Sequence, residues 1–85
     1  MQKKKNKNKY ILNLIGLRCP EPIMMLRKKI REIGSGHILL VFSDDITTTK
    51  DIPNFCHFMN HKLLEIDVNK IPYKYIIKKI NNFNI

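Results

Sequence analysis

The residues best suited to chemistry lie in one short segment at the junction of a predicted strand and a predicted helix, Gly16-Leu17-Arg18-Cys19-Pro20-Glu21-Pro22. We expect Cys19 to be the N-cap and Pro20 the first helical residue, because a proline there lacks only an N–H that would have no partner in the helix. Pro22 removes a second donor of the first turn, so the Glu21 N–H is the expected free donor beside the sulfur. The sequence therefore predicts a rigid, exposed thiol at the positive end of a helix dipole, a position that favours a thiolate.

The neighbours of this cysteine bear on its reactivity. Gly16 allows the loop to turn sharply, Arg18 favours a negative sulfur, and Glu21 opposes it. No histidine is adjacent in the sequence, which favours a nucleophile or carrier over a hydrolase with a Cys–His pair. The alternative is a helix start in which cysteine is incidental, although cysteine caps helices poorly compared with serine, aspartate or asparagine.

A second cysteine begins the segment Cys56-His57-Phe58-Met59-Asn60-His61, which invites interpretation as a metal site with Cys19 as a further ligand. Structural zinc sites usually have two closely spaced pairs of ligands, and no second close pair exists here. We therefore expect no metal, and we expect Cys56 to be a buried, small hydrophobic residue. A role as the resolving partner of Cys19 is the weaker alternative.

These residues need a scaffold, and the hydrophobic pattern predicts six elements. Strands are predicted from short apolar or alternating runs at Tyr10–Leu14, His37–Ser43, Lys62–Val68 and Tyr73–Ile80. A helix over Pro20–Ile33 is predicted from the apolar stripe Ile23, Leu26, Ile30 and Ile33. The segment Gly34-Ser35-Gly36 supplies left-handed residues that stop this helix. The order β-α-β-α-β-β predicts an α+β two-layer sandwich, with two helices on one face of a four-stranded mixed sheet and the last two strands joined as a hairpin.

The second helix is expected to be interrupted. Asp44 and Asp45 end the second strand, and together with Asp51 they are interpreted as capping residues, with a partner contact as the alternative. Because proline breaks a helix interior, we expect a turn over Thr47–Asp51 and a main helix over Pro53–Met59.

The first helix carries a face that points away from its apolar stripe. At about 100° per residue, Met24 and Met25 both lie more than a right angle from that stripe. Flexible thioethers suit surfaces that bind several partners, and Arg27 and Arg31 would match acidic groups of those partners. We predict that these four residues form a docking face; packing of at least one methionine in a second layer is the alternative.

Length and charge limit the possible classes of protein. The 85 residues suffice for one domain, which we place at 10–80 between a disordered basic tail, 1–9, and a C-terminal tail, 81–85. No apolar run is long enough to span a bilayer, and the N-terminus does not resemble a secretory signal peptide. We expect a cytoplasmic monomer with free thiols. The net charge of +9 suggests a nucleic-acid partner, but five of the positive charges lie in the first nine residues.

The segment around Cys19 resembles the signature of the TusA/SirA-like sulfur carrier family. The resemblance covers about residues 10–80 and continues through Ile23-Met24-Met25, Asp44-Asp45, Thr48-Thr49-Lys50-Asp51-Ile52-Pro53, Phe55-Cys56, Phe58-Met59 and Pro72-Tyr73. It implies a two-layer β-α-β-α-β-β fold and a Cys19 that accepts sulfane sulfur as a persulfide from a cysteine desulfurase. It also implies transfer to a TusBCD-type relay and on to 2-thiouridine at the tRNA wobble position. No cofactor on this chain is implied, since the pyridoxal chemistry belongs to the donor.

Two other functions are weighed against the carrier. A small nucleic-acid-binding module would use the lysines and an open sheet, with exposed aromatic side chains for stacking. Tyr10, Tyr73 and Tyr75 are the candidates, but Tyr73 and Tyr75 share a strand face with Ile77, which is more typical of sheet packing. A thiol–disulfide redox protein would usually have a Cys-x-x-Cys arrangement, which is absent. We therefore predict a carrier-type sulfurtransferase with no direct contact to nucleic acid or membrane.

Overall fold

Two helices and four strands make up the part of the chain that the computed structural model describes, residues 9–80. In chain order they are β1 (Lys9–Asn13), α1 (Glu21–Glu32), β2 (Ile38–Ser43), α2 (Thr48–Phe58), β3 (Lys62–Asp67) and β4 (Tyr73–Lys78). The predicted order and the α+β class are confirmed. The tails predicted at 1–9 and 81–85 lie outside the described residues, apart from Lys9, which begins β1. Neither described helix is long and apolar enough to cross a membrane.

The four strands form one mixed sheet in the order β1-β2-β4-β3. β1 and β2 are parallel and are connected through α1, whereas β4 is antiparallel to both β2 and β3. The predicted hairpin of β3 and β4 is confirmed. Since β1 and β2 are parallel neighbours, their carboxyl ends meet at the same edge of the sheet, and this juxtaposition creates the candidate site.

Both helices pack on the same face of the sheet. Alternate residues of the central strands β2 and β4 are buried in one cluster with residues of α1 and α2; the cluster includes Leu39, Val41, Tyr75, Ile77, Leu26, Ile30, Ile52 and Phe55. The opposite face presents Ile11, which is 66% exposed, beside the partly buried Leu40 and Ile76. No element within residues 9–80 covers that second face, so the fold is a two-layer sandwich as predicted.

β3 departs from the alternation that its sequence predicts. Leu63 pairs with Ile77 and Glu65 pairs with Ile76, which leaves Leu64 as an extra residue in a β-bulge. The extra residue reverses the faces of the side chains that follow, so the predicted alternation is wrong beyond Leu63. Leu64 itself is 47% exposed.

The prediction of an interrupted second helix is wrong, because α2 is continuous from Thr48 and contains Pro53. The N–H groups of Thr48, Thr49 and Lys50 donate to carbonyls three residues earlier, and this tight turn leads directly into the helix. Burial of the side chains around the proline, Ile52 and Phe55, compensates for the backbone hydrogen bond that Pro53 cannot make.

The apolar stripe of α1 packs as predicted, with Leu26, Ile30 and Ile33 buried and Ile23 partly buried. The end of the helix differs from the prediction, because Ile33 adopts an extended conformation and the left-handed residue is Gly36, at φ +87°. The buried Lys79 donates from Nζ to the Ile33 carbonyl over 2.9 Å. A lysine from the end of β4 therefore satisfies a carbonyl at the negative end of the helix.

Candidate functional site

The loop that joins β1 to α1 carries the candidate nucleophile. Its first residue prolongs the strand ladder, since the Leu14 N–H donates to the Phe42 carbonyl over 2.8 Å. Gly16 then adopts φ +93°, a conformation that side chains with a Cβ rarely take. A Cβ at Gly16 would meet no atom within 4 Å, so the backbone conformation rather than lack of space requires the glycine. The predicted sharp turn at Gly16 is confirmed.

Cys19 is exposed and free, but it is not the N-cap. The N-cap is Pro20, because the Glu21 N–H donates to the Arg18 carbonyl over 2.9 Å and closes a turn around Cys19 and Pro20. The Pro20 carbonyl accepts the Met24 N–H, which is the first bond of the helical type. Cys19 therefore lies one residue further from the helix than the sequence predicts, although it remains beside the helix N-terminus.

The free donor at this helix end also differs from the prediction. The Glu21 N–H, expected to face the sulfur unpaired, is used in the turn to Arg18. Pro22, the second helical residue, has no N–H to offer. The Ile23 N–H takes part in none of the hydrogen bonds between residues 9–80. The backbone donor available in the first turn is therefore that of Ile23.

Arg18 is held in an ion pair with an aspartate that follows β2. Its Nη1 lies 2.9 Å from Asp44 Oδ1, which also accepts the Gly16 N–H over 2.9 Å. The hydrogen bond to Arg18 and, to a smaller extent, that from Gly16 hold the pKa of the Asp44 carboxyl below its ordinary value. The same bond raises the pKa of Arg18. Arg18 was expected from the sequence to favour a negative sulfur on Cys19. Its positive charge is largely balanced by Asp44.

The next aspartate connects the cysteine loop to the second helix. Asp45 is only 5% exposed; its Oδ2 accepts the Cys19 N–H over 2.8 Å and its Oδ1 accepts the Thr47 N–H over 3.1 Å. The bond from Thr47, followed by a smaller contribution from Cys19, lowers the pKa of the Asp45 carboxyl. Sequence analysis assigned Asp45 to capping and missed its bond to Cys19. The available signal was the β-α-β order, because strands connected through a helix are usually parallel and then place their carboxyl ends side by side.

Buried hydroxyl groups support the turn at Asp45. Thr48 Oγ1 donates to the Asp45 carbonyl over 2.6 Å, and the Tyr75 hydroxyl lies 3.0 Å from the same Oγ1. Ser43 Oγ accepts the Asp45 N–H over 3.1 Å and lies 3.2 Å from Thr48 Oγ1. Burial raises the pKa of Tyr75, so its hydroxyl stays protonated and able to donate. These hydrogen bonds fix the position of Asp45, whose carboxylate accepts the Cys19 N–H.

These contacts predict a loss of stability in acid. Because the folded pKa of Asp44 is depressed, the ion pair stabilises the protein above the unfolded carboxyl pKa of about 3.9. The contribution disappears as the pH falls through the lower, folded pKa. We expect the free energy of unfolding, measured by urea denaturation at pH values from about 5 to about 2, to fall less steeply in Asp44→Asn than in the wild type. Asp67→Asn, at the distant β3–β4 turn, controls for the loss of one carboxyl; equal slopes in Asp44→Asn and wild type would contradict the assignment.

The predicted docking residues all lie at the surface. Met24 is 58% exposed and Met25 is 43% exposed, and Arg27 and Arg31 are also exposed. The outward orientation of both methionines agrees with the helical spacing, while their role stays a prediction. Arg27 lines a groove of about 490 Å³ between α1 and α2 together with Phe58, a residue that is 81% exposed. Sequence analysis did not assign Phe58 to this surface.

The second cysteine and the nearby histidines form no comparable site. Cys56 is 2% exposed, as predicted, and burial raises its pKa to about 11. His57 and His61 do not share a helix face, because α2 ends at Phe58 and His61 Nδ1 accepts the Ile80 N–H over 3.3 Å. Within residues 9–80, no group of three or more His, Cys, Asp or Glu side chains is placed to hold a metal ion.

The features expected of a nucleic-acid surface are present only in part. Lys9, Lys62 and Lys78 align across the uncovered face of the sheet by strand register. The tyrosines do not accompany them: Tyr75 is fully buried and Tyr73 is 8% exposed, as the shared strand face predicted. The described part of the chain therefore offers no exposed pair of tyrosines on which bases could stack.

The chain was compared with known protein families once its fold and site geometry had been established. A family model described as "Sulfurtransferase TusA" matches residues 10–79 of the 85-residue chain. Apart from Lys9, the first residue of β1, the match spans every described strand and helix, and it includes both the Cys19 loop and the two aspartates that hold it.

Proposed function

This chain belongs to the TusA sulfurtransferase family, and we propose that it carries sulfur as a persulfide on Cys19. A carrier role in sulfur transfer follows from the family; the residue, the intermediate and the route are our proposal. The observation that carries the proposal is an exposed thiol, at the start of α1, whose backbone N–H is bound to a buried carboxylate. Of the two cysteines, only Cys19 offers an accessible sulfur.

The transfer step needs no oxidant or cofactor. The Cys19 thiolate attacks the terminal sulfur of a donor persulfide, a new S–S bond forms, and the donor's own S–S bond breaks. The donor leaves as a thiolate, and Cys19 then bears the sulfane sulfur as Cys19–S–SH. A second thiolate, on the acceptor, attacks that terminal sulfur in the same way and releases the Cys19 thiolate. Each transfer conserves electrons, so the protein is reloaded without external redox chemistry.

The two cysteines differ in a way that suits this chemistry. Cys56 is buried, and its pKa of about 11 keeps it protonated at neutral pH, so it is a poor nucleophile. The sulfur of Cys19 is accessible to a second protein. The Ile23 N–H and the positive end of the α1 dipole lie at the same end of the helix and would favour a negative terminal sulfur.

Family membership also suggests the partners. We propose a cysteine desulfurase as donor, a TusBCD-type protein as acceptor, and tRNA wobble 2-thiouridine as the destination of the sulfur. This chain would act as a monomer in the cytoplasm, where a reducing environment keeps Cys19 free. It would bind its partners through Met24, Met25, Arg27 and Arg31 without contacting nucleic acid itself.

The docking face yields a testable substitution. Met25→Lys should lower the rate of sulfur transfer from a cysteine desulfurase roughly tenfold, because a charge replaces an apolar contact at the interface. Stability should change by less than about 0.5 kcal/mol, since Met25 is 43% exposed. The matched control is Leu64→Lys, which alters a side chain of similar exposure on β3 and should leave the transfer rate unchanged. Equal rates in Met25→Lys and Leu64→Lys would remove Met25 from the docking face.

The destination of the sulfur is tested in a reconstituted relay. Purified desulfurase, this chain, a TusBCD-type complex, the thiouridylase and unmodified tRNA are combined, and 2-thiouridine is measured by nucleoside mass spectrometry. The proposal predicts that the modified base forms only when this chain is present with Cys19 intact. If persulfide forms on Cys19 but no 2-thiouridine appears, the carrier role of this chain stands and the tRNA destination is refuted.

A further inference from the structure

Asp45 makes the one hydrogen bond by which the Cys19 peptide is joined to a distant part of the described chain. The neighbouring bonds do not involve Cys19 itself: the Glu21 N–H donates locally to the Arg18 carbonyl, and Gly16 and Arg18 donate to Asp44. The carboxylate accepts the Cys19 N–H with one oxygen and the Thr47 N–H with the other, over 2.8 and 3.1 Å. One side chain thus links the loop that carries the thiol to the turn that begins α2.

The partner of a carrier must find the thiol in a fixed position relative to the surface it binds. The groove between α1 and α2, lined by Arg27 and Phe58, is formed by the two helices together. Asp45 joins the thiol loop to α2, whereas the direct chain connection from the loop leads only to α1. A carboxylate with both oxygens engaged and 5% exposure holds this geometry firmly.

We propose that Asp45 is a positioning residue for sulfur transfer. It fixes the Cys19 loop relative to α2, so that a docked partner meets the thiol in the orientation that transfer requires. The proposal rests on the proposed role of Cys19. Small displacements of a reacting group, of about 1 Å, can lower a rate by about a hundredfold, so a single hydrogen bond that fixes a loop has a large kinetic effect.

Activation of the thiol does not explain this arrangement. A carboxylate is negative and opposes the formation of a nearby thiolate. An aspartate therefore has the wrong charge to activate the thiol. Asp45 is also bound from its own main chain to Ser43 Oγ, which fixes the position of the carboxylate rather than leaving it free to exchange protons. Positioning and activation therefore predict different outcomes when the charge is removed.

Asp45→Ala should slow the loading of Cys19 by a cysteine desulfurase about tenfold or more, measured as the rate of persulfide formation by intact-mass spectrometry. The alkylation rate of Cys19 with iodoacetamide, which needs no docked partner, should be equal to or faster than that of the wild type. Asp45→Asn keeps one acceptor oxygen and should load at an intermediate rate. Asp67→Ala is the matched control, since it removes an aspartate that accepts the Asn69 N–H at the distant β3–β4 turn.

The outcomes separate this inference from the proposed function. If wild-type Cys19 takes up no sulfur, the proposed function fails. If the wild type loads and Asp45→Ala loads at the same rate, the positioning role is refuted. A parallel fall of loading and alkylation would also refute it, because that pattern indicates a general disruption of the loop. If thermal denaturation shows that Asp45→Ala does not fold, the loading and alkylation rates of Asp45→Asn are compared with those of the wild type instead. The same outcomes then support or refute the positioning role.

Discussion

Replacing Cys19 by serine is expected to lower the rate of sulfur acceptance by roughly a thousandfold or more, because a hydroxyl at neutral pH is a weak nucleophile and cannot hold a persulfide. The exposed position of Cys19 makes it the accessible thiol of the described chain. The measurement is the transfer of radioactive sulfur from labelled cysteine, through a desulfurase, to this chain and then to a TusBCD-type acceptor. With Cys19→Ser, radioactive sulfur should reach neither this chain nor the TusBCD-type acceptor.

Cys56→Ser is the matched control, since it removes the other thiol and leaves the loop intact. Cys56 is buried and its pKa is raised to about 11, so the rate of labelling should stay within about twofold of the wild type once the folded fraction is taken into account. Serine in a buried, apolar position lowers stability, and the folded fraction is therefore measured in the same samples by circular dichroism. Loss of labelling in Cys56→Ser at full folding would show that both cysteines take part.

Leu26→Ala is expected to lower the free energy of unfolding by about 2–5 kcal/mol, since it opens a cavity in a buried cluster. Leu26 is fully buried between α1 and the sheet, in contact with the cluster that contains Val41 and Ile77. Domains of this size are stable by only about 5–15 kcal/mol, so the variant loses a large share of its stability. Urea denaturation followed by far-ultraviolet circular dichroism gives the value.

Met24→Ala provides the comparison within the same helix. Met24 is 58% exposed, so its truncation should change the free energy of unfolding by less than about 0.5 kcal/mol. The pair tests the orientation of α1, because a rotated helix would exchange the two effects. Similar losses in Leu26→Ala and Met24→Ala would contradict the packing of α1 described above.

The period of the apolar residues predicts most of the fold. The stripe of α1 and the runs of β2 and β4 place their buried residues correctly, because burial on one face leaves a regular spacing in the sequence. The β3 bulge escapes prediction, since its extra residue, Leu64, is as apolar as its neighbours. The continuity of α2 also escapes it, because the tendency of Pro53 to interrupt a helix is local, whereas the burial of Ile52 and Phe55 that outweighs it depends on the whole fold.

The candidate site is predictable in its chemistry more than in its geometry. The types of residue around Cys19 indicate an exposed thiol at a helix start, and the structure places it there. The hydrogen bonds of Asp44 and Asp45 to the loop join residues 26 to 28 positions apart, a distance that local pattern does not report. The exposure of Phe58 depends on where α2 ends, and boundaries are the least certain part of a sequence-based prediction.

The proposed function depends most on Cys19 as the carrier of sulfur. Intact-mass spectrometry after incubation with a cysteine desulfurase and cysteine, on wild type, Cys19→Ser and Cys56→Ser, tests it directly. We predict a gain of one sulfur atom, reversed by a reducing agent, in the wild type and in Cys56→Ser, and no gain in Cys19→Ser. A gain that persists in Cys19→Ser, or no gain on the wild type with an active donor, would contradict the account.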